Sequence, residues 1–183
     1  MTTRRFSLNP IRRDEPGRGI KITGSIERRA NTLSAGCVLA GNLSGLTIPD
    51  MEATPGRKDR LWEETCLEFF LAVKDSARYW EFNLSPSGEW NVYRFTSYRK
   101  GMQEEPVFSS LPFVVRREPE ALAFFLALDI GNIIPANKDM EVGVAAVIKS
   151  VKGATSHWAL VHPCPRPDFH RRDGFLLDLS AKG

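Results

Sequence analysis

Two glutamates, Glu68 and Glu81, lie inside long apolar runs of the sequence. A carboxylate in apolar surroundings is costly unless it is paired, so we expect each to be shielded and to need a partner. The partners available nearby are Asn83, Tyr93, Arg94 and Arg99. Three interpretations remain open: a structural ion pair or hydrogen-bonded network, polar contacts to the hydroxyl groups of a ligand, or the acid–base chemistry of a glycosidase.

Aromatic residues accompany these glutamates near predicted strand ends and loops. They are Trp62, Trp80, Trp90, Tyr93, Tyr98 and Trp158. Their flat faces could stack on a sugar ring, because Trp and Tyr combine an apolar body with a polar tip. The alternative is that they fill the core, which the alternation of Trp80 with Phe82 and Leu84 favours for Trp80. Trp62 lies at the junction of a loop and a strand, where both roles fit.

The stretch that must position these residues runs from residue 60 to 95. Its alternation of side chains predicts three neighbouring antiparallel strands over residues 64–73, 78–85 and 89–96. Ser85-Pro86-Ser87-Gly88 is typical of the turn of a hairpin.

Short apolar runs separated by turns and loops continue through the rest of the chain. Further strands are predicted over residues 19–28, 32–43, 113–117, 121–129, 141–151, 157–161 and 175–179. Gly24 suggests a bulge in the first of them. The run 121–129 is too uniformly apolar for an amphipathic surface helix. The pattern predicts an all-β protein, an antiparallel β-sandwich of about nine to eleven strands or else a closed barrel.

Composition limits the function classes. The chain has 183 residues, a length typical of one domain, and 25 basic and 22 acidic residues, which are mixed and give a net charge of +3. This charge is too small to indicate nucleic acid as a partner. We assign residues 1–18, which are rich in arginine, to a basic, partly mobile arm and residues 19–183 to a single domain.

The chain shows no signal peptide and no apolar run long enough to span a membrane. Its three cysteines are far apart, which argues against a disulfide framework and favours a cytoplasmic location. His157, His162 and His170 lie near Cys164 and Asp168, but their spacing matches no standard zinc pattern. We therefore expect neither a metal nor a cofactor.

Three motifs resemble those of bacterial DOMON-like domains, which are related to family 9 carbohydrate-binding modules. They are Leu61-Trp62-x-x-Thr65-Cys66-x-Glu68-x-Phe70; Glu81-Phe82-Asn83-x-Ser85-Pro86-Ser87-Gly88-x-Trp90-x-x-Tyr93, with Tyr98-Arg99 beyond it; and His157-Trp158-Ala159-Leu160, followed by Pro167-Asp168-Phe169-His170 and Gly174-Phe175. The resemblance covers most of the chain from about residue 20. It implies a β-sandwich that binds ligands, usually sugars or haem in relatives, without catalysis. Met102 with His157 or His162 would be the candidate axial ligands for haem.

The sequence therefore predicts a non-catalytic ligand-binding β-sandwich whose ligand is a small, carbohydrate-like molecule. The predicted ligand-binding residues are Trp62, Glu68, Glu81, Asn83, Trp90, Tyr93, Arg94, Tyr98, Arg99 and Trp158. A glycosidase-type hydrolase that uses Glu68 and Glu81 is one alternative, and a protein-interaction module is another.

Overall fold

Twelve β-strands and two short 3₁₀ helices are formed by the residues that the computed structural model describes, 2–12 and 17–180. The strands are β1 (Thr2–Pro10), β2 (Lys21–Arg29), β3 (Thr32–Ala40), β4 (Cys66–Val73), β5 (Tyr79–Leu84), β6 (Trp90–Phe95), β7 (Gln103–Glu104), β8 (Phe113–Glu118), β9 (Ala121–Asp129), β10 (Met140–Lys149), β11 (Thr155–Ala159) and β12 (Leu177–Leu179). The helices are η1 (Leu61–Glu63) and η2 (Arg172–Gly174). Within these residues, no helix has the length and apolar character needed to cross a membrane.

The strands form two antiparallel sheets, which β1 joins. The first sheet (sheet I) has the order β1-β2-β3-β9-β8, and the second (sheet II) has the order β7-β6-β5-β4-β10-β11. Most of β1 pairs with β2, whereas Asn9 and Pro10 pair with β11 in sheet II. β4 pairs with one edge of β10 along the length of β4. The other edge pairs with β11 at residues 145–149 and with β12 at residues 140–142.

Side chains from both sheets meet in one apolar core. Among its fully buried members are Ile22, Ile26, Leu33, Leu39 and Leu122 of sheet I and Phe69, Leu71, Phe82 and Leu84 of sheet II. The predicted antiparallel sandwich is confirmed, and so is the antiparallel neighbourhood of β4, β5 and β6. The sandwich has more strands than predicted because β1 and the two-residue β7 were not expected.

The prediction of a mobile basic arm over residues 1–18 is wrong for residues 2–10, which form β1. Its arginines Arg4 and Arg5 are exposed, but Phe6 and Leu8 are buried and fix the strand against the core. Two apolar residues at alternate positions are enough for a strand whose other side faces solvent. Residues 1 and 13–16 of the predicted arm lie outside the described residues.

Gly24 of β2 is not part of a bulge, because the pairing of β2 with both of its neighbours is continuous through it. The position instead has no room for a side chain. A Cβ atom there would lie 2.4 Å from Cζ of Phe6 and 2.2 Å from the carbonyl oxygen of Gly36. The missing Cβ allows the Phe6 ring to cover the middle of sheet I.

We expect Gly24→Ala to lower the free energy of unfolding by about 1–3 kcal/mol, because the extra methyl group must displace the Phe6 ring or the β3 backbone. Urea unfolding of the variant and the parent protein measures the change. Gly45→Ala is the matched control, because Gly45 is exposed and a Cβ atom added there would meet no other atom within 4 Å. Equal losses in the two variants would contradict the close approach of Phe6.

Candidate functional site

The outer face of sheet II, which points away from sheet I, carries many apolar side chains beside its polar ones. Its outward residues form a second apolar cluster that is separate from the core between the sheets. The members are Phe70, Ala72, Tyr79, Tyr93, Phe95, Ala145, Ala159 and Phe175, with Trp62 and Phe169 packed against them. A sheet that is apolar on both faces must be covered on both faces, and sheet I covers only one of them.

Residues 160–176, here called the cover segment, lie on this outer face. The segment leaves the edge of β10 after β11 and returns to the same edge as β12. The ring of Phe175 packs on Phe70, with 5.6 Å between ring centroids, and Gly143 leaves space for it. Arg172 holds the segment against sheet II by donating hydrogen bonds to Glu141 (2.5 Å) and to the carbonyl of Val73 (2.7 Å).

A cavity of about 350 Å³ remains beside the cover segment on the outer face of sheet II. Its lining combines aromatic rings, carboxyl groups and cationic or imidazole side chains. The lining residues are Trp62, Glu68, Glu81, Phe95, Arg99, Met102, Val147, His157, Pro167, Phe169 and His170. The described residues contain no group of three or more His, Cys, Asp or Glu side chains that could hold a metal ion.

Glu68 and Glu81 form the carboxyl pair of this cavity. Glu68 lies opposite Asn83 in the β4–β5 pairing and Glu81 lies opposite Phe70, so the two glutamates are diagonal neighbours on one face. Both are buried, at 3% and 4% exposed. Oε1 of Glu81 accepts a hydrogen bond from Nδ2 of Asn83 at 2.8 Å. Oε1 of Glu68 is buried and has no hydrogen-bond partner among the described residues.

The two carboxyl groups hold protons to unusually high pH. Burial raises the pKa of Glu68 well above its usual value, and the nearby Glu81 raises it further. Burial raises the pKa of Glu81 to about 7, although the Asn83 hydrogen bond opposes the shift. The surroundings therefore favour the protonated form of Glu68, and Glu81 is near its midpoint at neutral pH. The expected shielding is confirmed for both residues, but the expected partner is absent for Glu68 Oε1 because, among the described residues, the Asn83 amide reaches only Glu81.

His170 of the cover segment is held in one orientation by Tyr79. The backbone N–H of Arg99 donates to Oη of Tyr79 (3.1 Å), and Oη lies 2.8 Å from Nδ1 of His170. Burial, aided by the positive charge of Arg99, lowers the pKa of His170 to about 4, so the ring is neutral at pH 7. With Nδ1 accepting from Tyr79, the proton is on Nε2, which lies 3.8 Å from Oε2 of Glu81.

Arg99 and Tyr98 both bind Asp168 of the cover segment. Arg99 Nη2 donates to Oδ1 of Asp168 at 2.9 Å, and the Tyr98 hydroxyl donates to Oδ2. Burial opposes the charged form of Asp168, but these hydrogen bonds outweigh it and lower its pKa. Arg99 has a φ of 53°, which is uncommon for a residue other than glycine and places its backbone N–H on Tyr79.

Trp62 is positioned by Tyr93 at another part of the cavity. The two rings meet edge to face, with centroids 5.6 Å apart. The hydroxyl of Tyr93 donates to Asp59 (2.5 Å), just before η1, and accepts from the amide of Asn91 (2.8 Å). Trp62 therefore lies on a short helix that β6 holds in place.

Three of the predicted ligand residues lie away from the cavity. Trp90 and Trp158 are buried in the core between the sheets, at 5% exposed each. Trp90 pairs with Leu84 and points inward with it, and the guanidinium group of Arg57 lies 4.5 Å from its ring centroid. Arg94 is exposed and hydrogen-bonded to Gln103. These three predictions are corrected because the strand parity directs the side chains away from the outer face.

The other predicted ligand-binding residues lie at or beside the cavity. Trp62, Glu68, Glu81 and Arg99 line the cavity, and Asn83, Tyr93 and Tyr98 hold lining residues or their partners. The prediction missed the roles of Phe95, Phe169, His170 and Asp168. The motif Pro167-Asp168-Phe169-His170 contains three of these four residues and is the sequence signal for their place in the site.

The haem alternative can be tested against the same cavity. Met102 and His157 both line it, whereas His162 binds the carbonyl of Asn9 through Nε2 at 2.8 Å. However, the cavity that they line also has the buried carboxyl groups of Glu68 and Glu81. An apolar macrocycle would supply no hydrogen bond to Glu68 Oε1, and a buried group left unsatisfied costs about 1–3 kcal/mol. The residues present do not fit haem.

No protein-family model matches the sequence, and no curated protein is significantly similar to it. The comparison with solved structures gives the following matches. A Bacteroides uniformis protein for which carbohydrate binding has been proposed matches with a TM-score of 0.67 and 14% identity, over 94% of this chain and 84% of that chain. The fold is shared. A family 9 carbohydrate-binding module from Caldicellulosiruptor kristjanssonii, solved with cellotriose, matches with a TM-score of 0.43 and 8% identity, over 77% of this chain and 65% of that chain.

The raised pKa of Glu81 predicts a specific pH dependence of stability. Between pH 4.5 and about 7 the folded protein holds a proton on Glu81 that the unfolded chain releases, so this residue stabilises the fold less as pH rises. Each unit of the shift corresponds to about 1.4 kcal/mol. Relative to Glu81→Gln, the parent protein should therefore lose about 3 kcal/mol of unfolding free energy between pH 4.5 and 8.

Urea unfolding of both proteins across this pH range tests the prediction. The glutamine keeps an oxygen for the Asn83 amide. Glu120→Gln, in the exposed turn between β8 and β9, controls for the loss of one carboxyl group. A constant difference between the parent and Glu81→Gln at every pH would show that Glu81 is not shielded.

Proposed function

We propose that this protein binds a small, carbohydrate-like molecule in the cavity beneath the cover segment and does not transform it. The observation that carries the proposal is the composition of the cavity. Three aromatic side chains, Trp62, Phe95 and Phe169, line it together with buried polar groups, one of which has no partner among the described residues. A ligand hydroxyl group would supply the hydrogen bond that Glu68 Oε1 lacks.

The size and construction of the cavity support a small ligand. Its volume of about 350 Å³ falls in the lower part of the range of small-molecule sites, roughly 300–1,000 Å³. Glu68 and Glu81 are on central strands of sheet II, and His170 is oriented by Tyr79. Polar groups fixed in this way lose little conformational freedom on binding, whereas aromatic faces suit the C–H surface of a sugar ring.

A relation to DOMON-like domains is part of the proposal. The motifs that carry the resemblance are far apart in the sequence, yet Trp62, Glu68, Glu81, Arg99 and His170 line one cavity. The structural likeness to a protein for which carbohydrate binding has been proposed adds to this support.

A glycosidase-type hydrolase is the second candidate, because two buried carboxyl groups with raised pKa values line the cavity. A neutral acid beside a partly ionised carboxylate is an arrangement that acid–base catalysis uses. However, glycosidase carboxyl groups flank the bond that is cleaved. Glu68 and Glu81 are instead diagonal neighbours on adjacent strands, on the same face of one sheet. This favours binding over hydrolysis.

We expect at least one member of a panel of mono- and oligosaccharides to raise the melting temperature of the protein. The dissociation constant should be micromolar to millimolar, or roughly −4 to −8 kcal/mol. Trp62→Ala should weaken binding about tenfold because it removes one aromatic face of the cavity. Phe125→Ala is the matched control, since Phe125 is an exposed aromatic residue on sheet I.

The outcomes separate the candidates. Equal binding by the parent and Trp62→Ala would exclude this cavity as the site. Hydrolysis of a panel member that Glu68→Gln abolishes would replace the binding function with the hydrolase. A panel without a hit would contradict the proposal and favour a protein-interaction module.

A further inference from the structure

The carboxyl groups of Glu68 and Glu81 are hydrogen-bonding groups in the lining of the cavity. Glu68 Oε1 is buried without a partner among the residues described here. Glu81 Oε2 lies 3.8 Å from Nε2 of His170, beyond hydrogen-bond distance. A ligand that reaches both groups can present donors to them, and two close carboxyl groups favour a donor that is positively charged.

The cavity already holds one positive charge, that of Arg99, which lowers the pKa of both glutamates, although its guanidinium binds Asp168. The titratable groups that face the pair are Cys66 of β4, Tyr79 of β5, Arg99 of the turn before β7, His157 of β11, and Asp168 and His170 of the cover segment. The guanidinium of Arg99 is 2.9 Å from the carboxylate of Asp168, which balances its charge. The ring of His170 is neutral at pH 7, and burial keeps the Cys66 thiol protonated by raising its pKa.

We propose that the preferred ligand carries a protonated amine that contacts Glu68 and Glu81, as an amino sugar or a related hydroxylated amine does. This inference rests on the proposed function and narrows its ligand class. An ammonium group has three N–H donors, enough for both free oxygens and one further acceptor. The rings of Trp62, Phe95 and Phe169 line the same cavity and attract a desolvated cation as well as apolar carbons.

Binding of such a ligand must release protons. Burial raises the pKa of Glu68 well above its usual value and that of Glu81 to about 7, which favours their protonated forms in the free protein, whereas the ammonium group favours the carboxylate forms of both. The released protons pass to the solvent while the amine keeps its own. The association constant should then rise about tenfold per pH unit for each proton released, until the amine itself loses its proton.

Calorimetry at pH 6.5 with glucosamine, N-acetylglucosamine and glucose tests this preference. The three probes share the pyranose ring, and only glucosamine has a charged amine. We expect glucosamine to bind at least about ten times more tightly than the other two, because only it places a positive charge at the carboxyl pair. Repeating the titration in two buffers of different ionisation enthalpy should show about one proton released per glucosamine bound.

A fourth probe, cyclohexylamine, separates this inference from the proposed function. Binding of cyclohexylamine but of no sugar would support the amine preference and overturn carbohydrate binding. Equal binding of glucose and glucosamine, or tighter binding of N-acetylglucosamine, would overturn the amine preference and leave carbohydrate binding in place. Failure of all four probes to bind would overturn both.

Two variants locate the charge contact. Glu68→Gln keeps the size of the side chain and should reduce the preference for glucosamine over glucose at least fivefold, with less proton release. Glu120→Gln, on the exposed β8–β9 turn, should keep the full preference. A preference that survives Glu68→Gln unchanged would overturn the role of Glu68. Circular dichroism of the variants checks that they are folded, and the probe series on the parent protein does not depend on them.

Discussion

The apolar character of both faces of sheet II is the constraint on which the rest of the structure depends. β4 and β5 are buried along nearly their whole length, which is unusual for an antiparallel sheet with one face turned to solvent. Sheet I covers the inner face, and residues 160–176 cover the outer one. A segment without regular strands cannot fill this surface as evenly as a second sheet does, so a cavity remains where its cover is incomplete.

Within this apolar surface the fold alone gives no reason for a glutamate at position 68. A side chain whose buried oxygen has no hydrogen-bond partner among the described residues is less favourable than an apolar residue of similar size. The protein limits the cost by keeping the carboxyl group protonated, because burial raises its pKa. A buried polar residue without a hydrogen-bond partner is expected at a functional site, where a ligand supplies the missing partner. The turn at Arg99, with its positive φ, is a second unfavourable local feature beside the same cavity.

The sandwich could be predicted because alternation along a strand is a local property, and β4, β5 and β6 show it clearly. Strand parity also predicts the direction of Trp90, because Trp90 pairs with Leu84 and therefore points to the core. The path of the cover segment could not be predicted in this way. Its place depends on contacts distant in sequence, such as Arg172 with Glu141 and Asp168 with Arg99. β1 was missed because its arginines dominate the composition while only Phe6 and Leu8 face the core.

The electrostatics of the site contain opposing contributions to the pH dependence of stability. Burial lowers the pKa of His170 to about 4, so this residue stabilises the fold increasingly as pH rises from about 4 to 6.5. Burial raises the pKa of Glu81 to about 7, so this residue stabilises the fold less over nearly the same range. Burial also raises the pKa of Glu68 well above its usual value, so the contribution of Glu68 has the same sign as that of Glu81. His170 therefore offsets only part of the glutamate contributions between pH 4.5 and 6.5. A substitution or a bound cation that acts on one of the three groups separates its contribution from those of the other two.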